Sequence, residues 1–273
     1  MKKIDISYAS KSEHNFAQRI LIKTIEQFTG KRKLQKIYND FSKENNNPRY
    51  FWSGILKSMD IKIIDKSKSG ICIPTKGSLL MIANHPFGII DGLIMCSLAS
   101  KVRSDFKIMT HETLQFLPEL DRYILPIDFN DKNKDTIRNN IMTTKKAREH
   151  LQNNGLLIIF PSGSVSVART LKSSAKDDNW KQFTAKIIKQ TKTDVLPIYF
   201  DGKNGFMYHM FASKLKNQTL KYSTYIYETK KMIGQNIYIN SGEIIKYEQL
   251  NEVNDRDKLT EFLKRKTYEL GNS

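Results

Sequence analysis

The chain has 273 residues, 39% of them hydrophobic and 27% charged, with 14 Phe and 12 Tyr. That is enough apolar area for a substantial core in one large α/β domain, and too much aromatic content for wholesale disorder. An excess of 45 basic over 28 acidic residues gives a formal charge of +17, which favours phosphates on nucleic acid, anionic lipid headgroups or a small substrate, without choosing among them.

From His14 to Phe41, Phe16, Ile20, Leu21, Ile25, Phe28, Leu34 and Tyr38 recur at helical spacing beside Arg19, Lys23, Lys31, Arg32 and Lys33. This predicts one or two basic amphipathic helices. Asn45-Asn46-Asn47-Pro48 marks a turn, and Arg49-Tyr50-Phe51-Trp52 opens another short helix. Residues 1–60 thus form a helical segment ahead of an α/β unit over 61–273. Within that unit Ile61–Ile64, Leu79–Ala83, Phe106–Met109, Leu156–Phe160 and Val195–Phe200 are apolar runs suited to strands buried on both faces. A helix is expected over Thr136–Asn153, with Asp135 able to cap its start and Gly155 ending it. Leu220–Ile233 mixes strand composition with helical length and is read as helix; Asn236–Asn240 reads as a last strand and Asp257–Leu270 as a closing helix. Such alternation predicts an α/β fold with a largely parallel central sheet flanked by helices.

Cys72 and Cys96, 24 positions apart, form neither a CxxC pair nor a disulfide framework and read as small buried hydrophobes in a reducing compartment. Met1-Lys2-Lys3-Ile4-Asp5 is not followed by an apolar stretch, so no secretory signal is expected. Leu79–Ala99 is interrupted by Asn84, His85, Pro86 and Asp91, so no bilayer span is expected. His14, His111, His150 and His209 lack metal-ligand spacing with each other and with the cysteines, so no metal or other cofactor is expected.

The chemistry concentrates where Leu79–Ala83 gives way to Asn84-His85-Pro86-Phe87-Gly88-Ile89-Ile90-Asp91-Gly92 and a helical run. Strand ends that open into helices are favoured sites in open α/β sheets. A histidine there, with an aspartate in the first turn of the next helix, can form a pair in which the carboxylate fixes the imidazole tautomer while the ring accepts a proton. Backbone amides from Gly163 to Ser166, between a buried strand and an expected helix start, are candidates to stabilise an oxyanion or grip a phosphate.

Asn84-His85 with Asp91 resembles the first signature block of the glycerolipid acyltransferase family, the lysophosphatidic acid acyltransferase-like enzymes. Phe160-Pro161-Ser162-Gly163-Ser164-Val165-Ser166 resembles that family's Phe-Pro-Glu-Gly block, and Val195-Leu196-Pro197-Ile198-Tyr199 its late hydrophobic-proline strand. Leu125-Pro126-Ile127-Asp128-Phe129 stands where the second block falls. Asn-His-Pro-Phe-Gly and Phe200-Asp201-Gly202-Lys203-Asn204 are similar to the hemolysin-like branch, some members of which are linked to ornithine-lipid synthesis. The chain departs from the pattern in three ways. Five residues, Pro86 to Ile90, separate His85 from Asp91 where the family has four, so the pair depends on Gly88 bending the turn. Ser162 replaces the glutamate of the third block, and Val165 stands at its arginine position.

The resemblance implies acyl transfer from acyl-CoA or acyl-carrier protein to a hydroxyl of a lysophospholipid-like or lyso-ornithine-lipid-like acceptor. His85 would be general base and Asp91 its orienting partner. Asn84, Gly88, Phe160, Pro161, Ser162, Gly163, Ser164 and Ser166 would contact substrate, and Arg169, Lys172 or Lys203 would supply the missing cation. Basic residues would hold the protein peripherally on anionic lipid at the cytoplasmic face. The alternatives are a basic nucleic-acid-binding protein, suggested by +17 and by Tyr50, Phe51 and Trp52, and a family member that binds lipid without catalysis.

Overall fold

The computed structural model describes residues 30–44, 47, 49–111, 118–127, 134–168, 170, 173–210, 212 and 218–272. Two helices, α1 (Lys31–Glu44) and α2 (Phe51–Ser58), precede an alternating series. It runs β1 (Lys62–Asp65), β2 (Leu79–Ala83), α3 (Ile89–Val102), β3 (Lys107–His111), a 3-10 turn (Pro118–Tyr123), β4 (Ile124–Ile127), α4 (Lys134–Gln152), β5 (Leu156–Ile159), α5 (Phe183–Thr191) and β6 (Asp194–Asp201). There follow the short α6 (Phe206–His209), α7 (Gln218–Lys231), β7 (Asn236–Ser241), α8 (Tyr247–Asn251), α9 (Arg256–Glu269) and a last 3-10 turn (Leu270–Asn272).

The seven strands form one sheet in the order β1-β7-β6-β2-β5-β3-β4. Neighbours are parallel except β6 and β7. The pleat divides β2 between two layers. Leu79, Met81 and Ala83 face α1, α2, α3 and α7, whereas Leu80 and Ile82 face α4, α5 and α9. Because both faces are covered, β2 and β5 are apolar and buried throughout, as their continuous runs require.

Several expectations change. The run Ile61–Ile64 gives β1, but this is a mostly exposed edge strand and not one buried on both faces, with β7 between it and β6. Strand β4 is added where the sequence showed only the weak second block, and Asp128 and Phe129 lie outside the described residues. Asp135 sits inside the first turn of α4 instead of capping it. Cys96 is buried, but Cys72 is exposed, because it lies in the irregular crossing from β1 to β2.

The basic amphipathic expectation is met within α1, where Arg32, Lys33 and Lys36 are exposed. Its apolar stripe of Leu34, Tyr38 and Phe41 is taken up by the core and does not face lipid. The part of that expectation before residue 30 lies outside the described residues. Phe51 and Trp52 are also core residues, Trp52 packing edge-on to Phe106 and Tyr123. Only Tyr50 of that trio is exposed, so the base-stacking surface suggested for nucleic acid is not formed there. Among the described residues no helix is long and apolar enough to cross a membrane.

Candidate active site

Strand β2 lies between β5 and β6, all three pointing the same way. The loops leaving their carboxyl ends therefore meet, and the chemistry-bearing segments occupy these loops. The expected histidine–aspartate pair is formed. His85 Nδ1 lies 3.0 Å from Asp91 Oδ2. The same carboxylate oxygen accepts the amides of Phe87 at 2.8 Å and Gly88 at 3.0 Å. Asp91 is fully buried in the first turn of α3, where a negative charge is favoured by the helix dipole. Burial pushes its carboxyl above the usual range, opposed by the hydrogen bond and charge of His85 and then by the two amides.

An acceptor on Nδ1 places the ring proton there and leaves Nε2 with its lone pair. The ring stacks on Phe160, with centroids 4.0 Å apart and planes 23° from parallel, so its orientation is fixed on two sides. Gly88 is the bend that the longer spacing demands. Its φ of 72° and ψ of −115° suit glycine alone, and a Cβ there would stand 3.3 Å from Val165 Cγ2.

The second loop is tied to the first by backbone and side chain. Ser166 donates its amide to the His85 carbonyl at 2.8 Å. Ser166 Oγ also donates to Asp177 Oδ1, a carboxylate that accepts the His85 amide at 3.2 Å. Trp180 Nε1 donates to the other oxygen of Asp177 at 2.8 Å. Tyr268 Oη accepts the Asp177 amide at 2.7 Å, and Lys264 Nζ donates to the Asp177 carbonyl at 3.0 Å, so α9 anchors this segment. Burial pushes the Asp177 carboxyl up, with Ser166 and Trp180 pulling it back. Asp177 was missed in the sequence because it stands 92 positions from His85. The available signal was an acid three residues before a tryptophan in an otherwise polar stretch, Asp177-Asp178-Asn179-Trp180.

The remaining expected residues are placed unevenly. Asn84 is 2% exposed, and its amide exchanges two bonds with Phe200, Nδ2 to the carbonyl at 2.9 Å and Oδ1 from the amide at 2.7 Å. It is a clamp that extends the β2–β6 pairing. Ser162, also 2% exposed, closes a local turn, with Oγ donating to the Ser164 carbonyl at 2.7 Å and accepting its amide at 3.3 Å. Ser164 Oγ reaches Asp178 at 3.3 Å. Pro161 is buried, its carbonyl accepting the Lys181 amide at 2.9 Å.

Among the described residues no helix starts directly after this loop; the chain forms a bridge between Val167 and Lys176, and α5 begins at Phe183. Of the amides proposed as oxyanion donors, Gly163 is used by the Phe160 carbonyl, Ser164 by Ser162 Oγ and Ser166 by His85. That leaves Val165. Lys203 is exposed and its Nζ donates to the Ser173 carbonyl at 2.8 Å. Arg169 and Lys172 lie outside the described residues.

A family model described as Acyltransferase matches residues 7–273. The chain belongs to this acyltransferase family. Among its curated relatives, a lyso-glycine lipid O-acyltransferase of Bacteroides thetaiotaomicron is 26% identical over 175 residues, which is 63% of this chain and 60% of that protein. A protein of the same name from Phocaeicola vulgatus is 22% identical over 226 residues, 81% of this chain and 77% of that one. The fold of this acyltransferase resembles the crystal structure of the 1-acyl-sn-glycerophosphate (LPA) acyltransferase, PlsC, from Thermotoga maritima. The TM-score is 0.50 at 14% identity, over 93% of this chain and 96% of that one.

Proposed function

We propose that this acyltransferase moves a fatty acyl group from a thioester of coenzyme A or acyl-carrier protein to a hydroxyl of a lyso-amino-acid lipid of the lyso-glycine lipid kind. The observation that carries the reading is the His85–Asp91 pair at the carboxyl end of β2, with the ring stacked on Phe160. Asp91 holds the Nδ1 proton, so Nε2 takes the proton of the acceptor hydroxyl as its oxygen attacks the thioester carbonyl. The carbon–sulfur bond then breaks, and the imidazolium returns that proton to the departing thiolate. No acyl-enzyme is needed. The Val165 amide is the donor assigned to the transient oxyanion, a role typically worth ~3 kcal/mol of transition-state stabilisation.

The choice of acceptor is supported by the names of the two curated relatives, and by Ser162 and Val165 standing where the wider family carries an acid and an arginine. The lipid is met at the cytoplasmic membrane surface, to which the +17 charge draws the protein. The test offers radiolabelled acyl-CoA and acyl-carrier protein separately, each with lyso-glycine lipid, lyso-ornithine lipid or lysophosphatidic acid. Label should pass to the amino-acid lipids. Transfer to lysophosphatidic acid alone contradicts the acceptor assignment, and transfer to none contradicts the activity.

A further inference from the structure

Beyond Asp201 the chain turns at Gly202, φ 132°, so close to the active-site turn that a Cβ would lie 2.4 Å from the Phe87 ring. Asn204 follows, 3% exposed, and neither its Nδ2 nor its Oδ1 has a hydrogen-bond partner among the described residues. The next residue, Gly205, donates its amide to Glu228 Oε2 of α7 at 2.7 Å. Glu228 is 1% exposed, and its Oε1 likewise has no partner among the described residues. A Cβ on Gly205 would come within 2.8 Å of that Oε1, so the carboxylate lies directly against the residue after Asn204. Short α6 then joins this group to the catalytic loop. Tyr208 donates to the Val165 carbonyl at 3.2 Å, and His209 Nδ1 accepts the Ala168 amide at 3.1 Å.

We propose that Asn204 and Glu228 form a binding site for an amide-bearing headgroup of the acyl acceptor, a proposal that rests on the lipid acyltransferase reading above. Buried polar atoms are ordinarily paired, and those that are not find their partners in water or a bound group. Here the unmet set is one donor, Asn204 Nδ2, and two acceptors, Asn204 Oδ1 and Glu228 Oε1. An amide supplies a carbonyl and an N–H side by side, matching the Asn204 side chain in both directions, and a further N–H or hydroxyl matches Glu228. A phosphate offers mainly acceptors, so it serves Asn204 Nδ2 but brings no donor for Asn204 Oδ1 or Glu228 Oε1; the Glu228 charge itself is paired with Lys231, whose Nζ lies 3.4 Å from Oε2. The three atoms are closed from solvent, so binding requires a local opening of the chain around them.

The test titrates the full chain with N-octanoylglycinamide, which carries an amide and a further N–H without a charge, and, separately, octyl phosphate, without acyl donor, by isothermal titration calorimetry. N-octanoylglycinamide should bind at least tenfold more tightly than octyl phosphate. Asn204→Leu should weaken it about tenfold or more, the loss of roughly one well-formed hydrogen bond to a buried partner. The ligand-free thermal midpoint of that variant should equal or exceed the wild type, because polar atoms are withdrawn from burial. Glu228→Gln, which keeps an acceptor for Gly205, should also weaken binding and serves if Asn204→Leu fails to fold. Equal affinity for the two probes, no binding of N-octanoylglycinamide, or variants that bind as tightly as wild type overturn the site. A lower midpoint with unchanged affinity assigns Asn204 to the fold and overturns it too. Since no acyl group moves in this measurement, its failure leaves the acyltransferase reading intact, and a missing transferase activity leaves the binding result intact.

Discussion

Removing the Asp177 carboxylate should cost both stability and turnover, because that one group holds the backbone of His85, the hydroxyl of Ser166 and the indole of Trp180. Asp177→Ala leaves three donors without their acceptor in a region where Asp177 itself is 6% exposed. An orphaned buried donor costs ~1–3 kcal/mol. The sum is offset in part, because burial already pushes the Asp177 carboxyl up, a sign that its charged form is poorly solvated there. Water entering the space left by the carboxylate offsets more. A net loss of about 3 kcal/mol follows, at the lower end of what breaking a buried charged contact costs. A domain of ordinary stability, ~5–15 kcal/mol, still folds after that loss.

Catalysis should fall further than stability explains. A displacement of the His85 ring by ~1 Å is enough for a ~100-fold loss of rate. Asp177→Asn keeps an oxygen for His85 and Ser166 but sets an amide N–H against the Trp180 N–H. Adding Trp180→Phe should therefore restore much of the lost kcat. Urea denaturation measures the first effect, and steady-state acyl transfer at saturating acceptor the second. If Asp177→Ala is about 3 kcal/mol less stable yet keeps kcat within twofold at unchanged KM, Asp177 supports the fold alone and the reasoning about His85 is refuted.

Gly88→Ala should lower stability by ~1–3 kcal/mol, since its backbone geometry excludes a Cβ and Val165 is already close. It should also lower kcat by displacing an amide from Asp91, and a variant as stable and active as wild type would contradict the role of the bend. Burial holds the imidazoles of His150 and His209 below the usual value. The unfolded chain therefore binds more protons than the native one below pH ~6.5, and these two residues make stability fall as pH drops through that value. Asp91 and Asp177, raised by burial, act in the opposite sense but are common to both proteins in a comparison. Urea midpoints at pH 7.5 and 5.5 should thus differ less for a His150→Gln, His209→Gln double variant than for wild type, and an equal difference contradicts the assignment.

What the sequence disclosed depended on how local the physics is. The buried runs behind β2, β5 and β6 are visible because a strand covered on both faces has to be apolar at every position. His85, Asp91 and the bend at Gly88 are visible because all three lie within seven consecutive residues. Strand β4, four residues with Pro126 inside, is too short to declare itself. The partners of Asn84 and Asp177 arise from loops brought together by sheet order, at separations of 116 and 92 positions, and nothing in either neighbourhood points to the other. The backbone amides between residues 163 and 166 look equivalent in the sequence, and only the turn formed by Ser162 and the bond to His85 separate Val165 from the others.

The central claim is that the imidazole of residue 85 takes a proton from the acceptor hydroxyl. It is tested most directly by the kcat for acyl transfer of His85→Ala beside wild type, with circular dichroism confirming that the variant is folded. Loss of a positioned general base predicts a fall of ~100- to 10,000-fold. A folded His85→Ala protein that transfers acyl groups within a few-fold of the wild-type rate would contradict the claim.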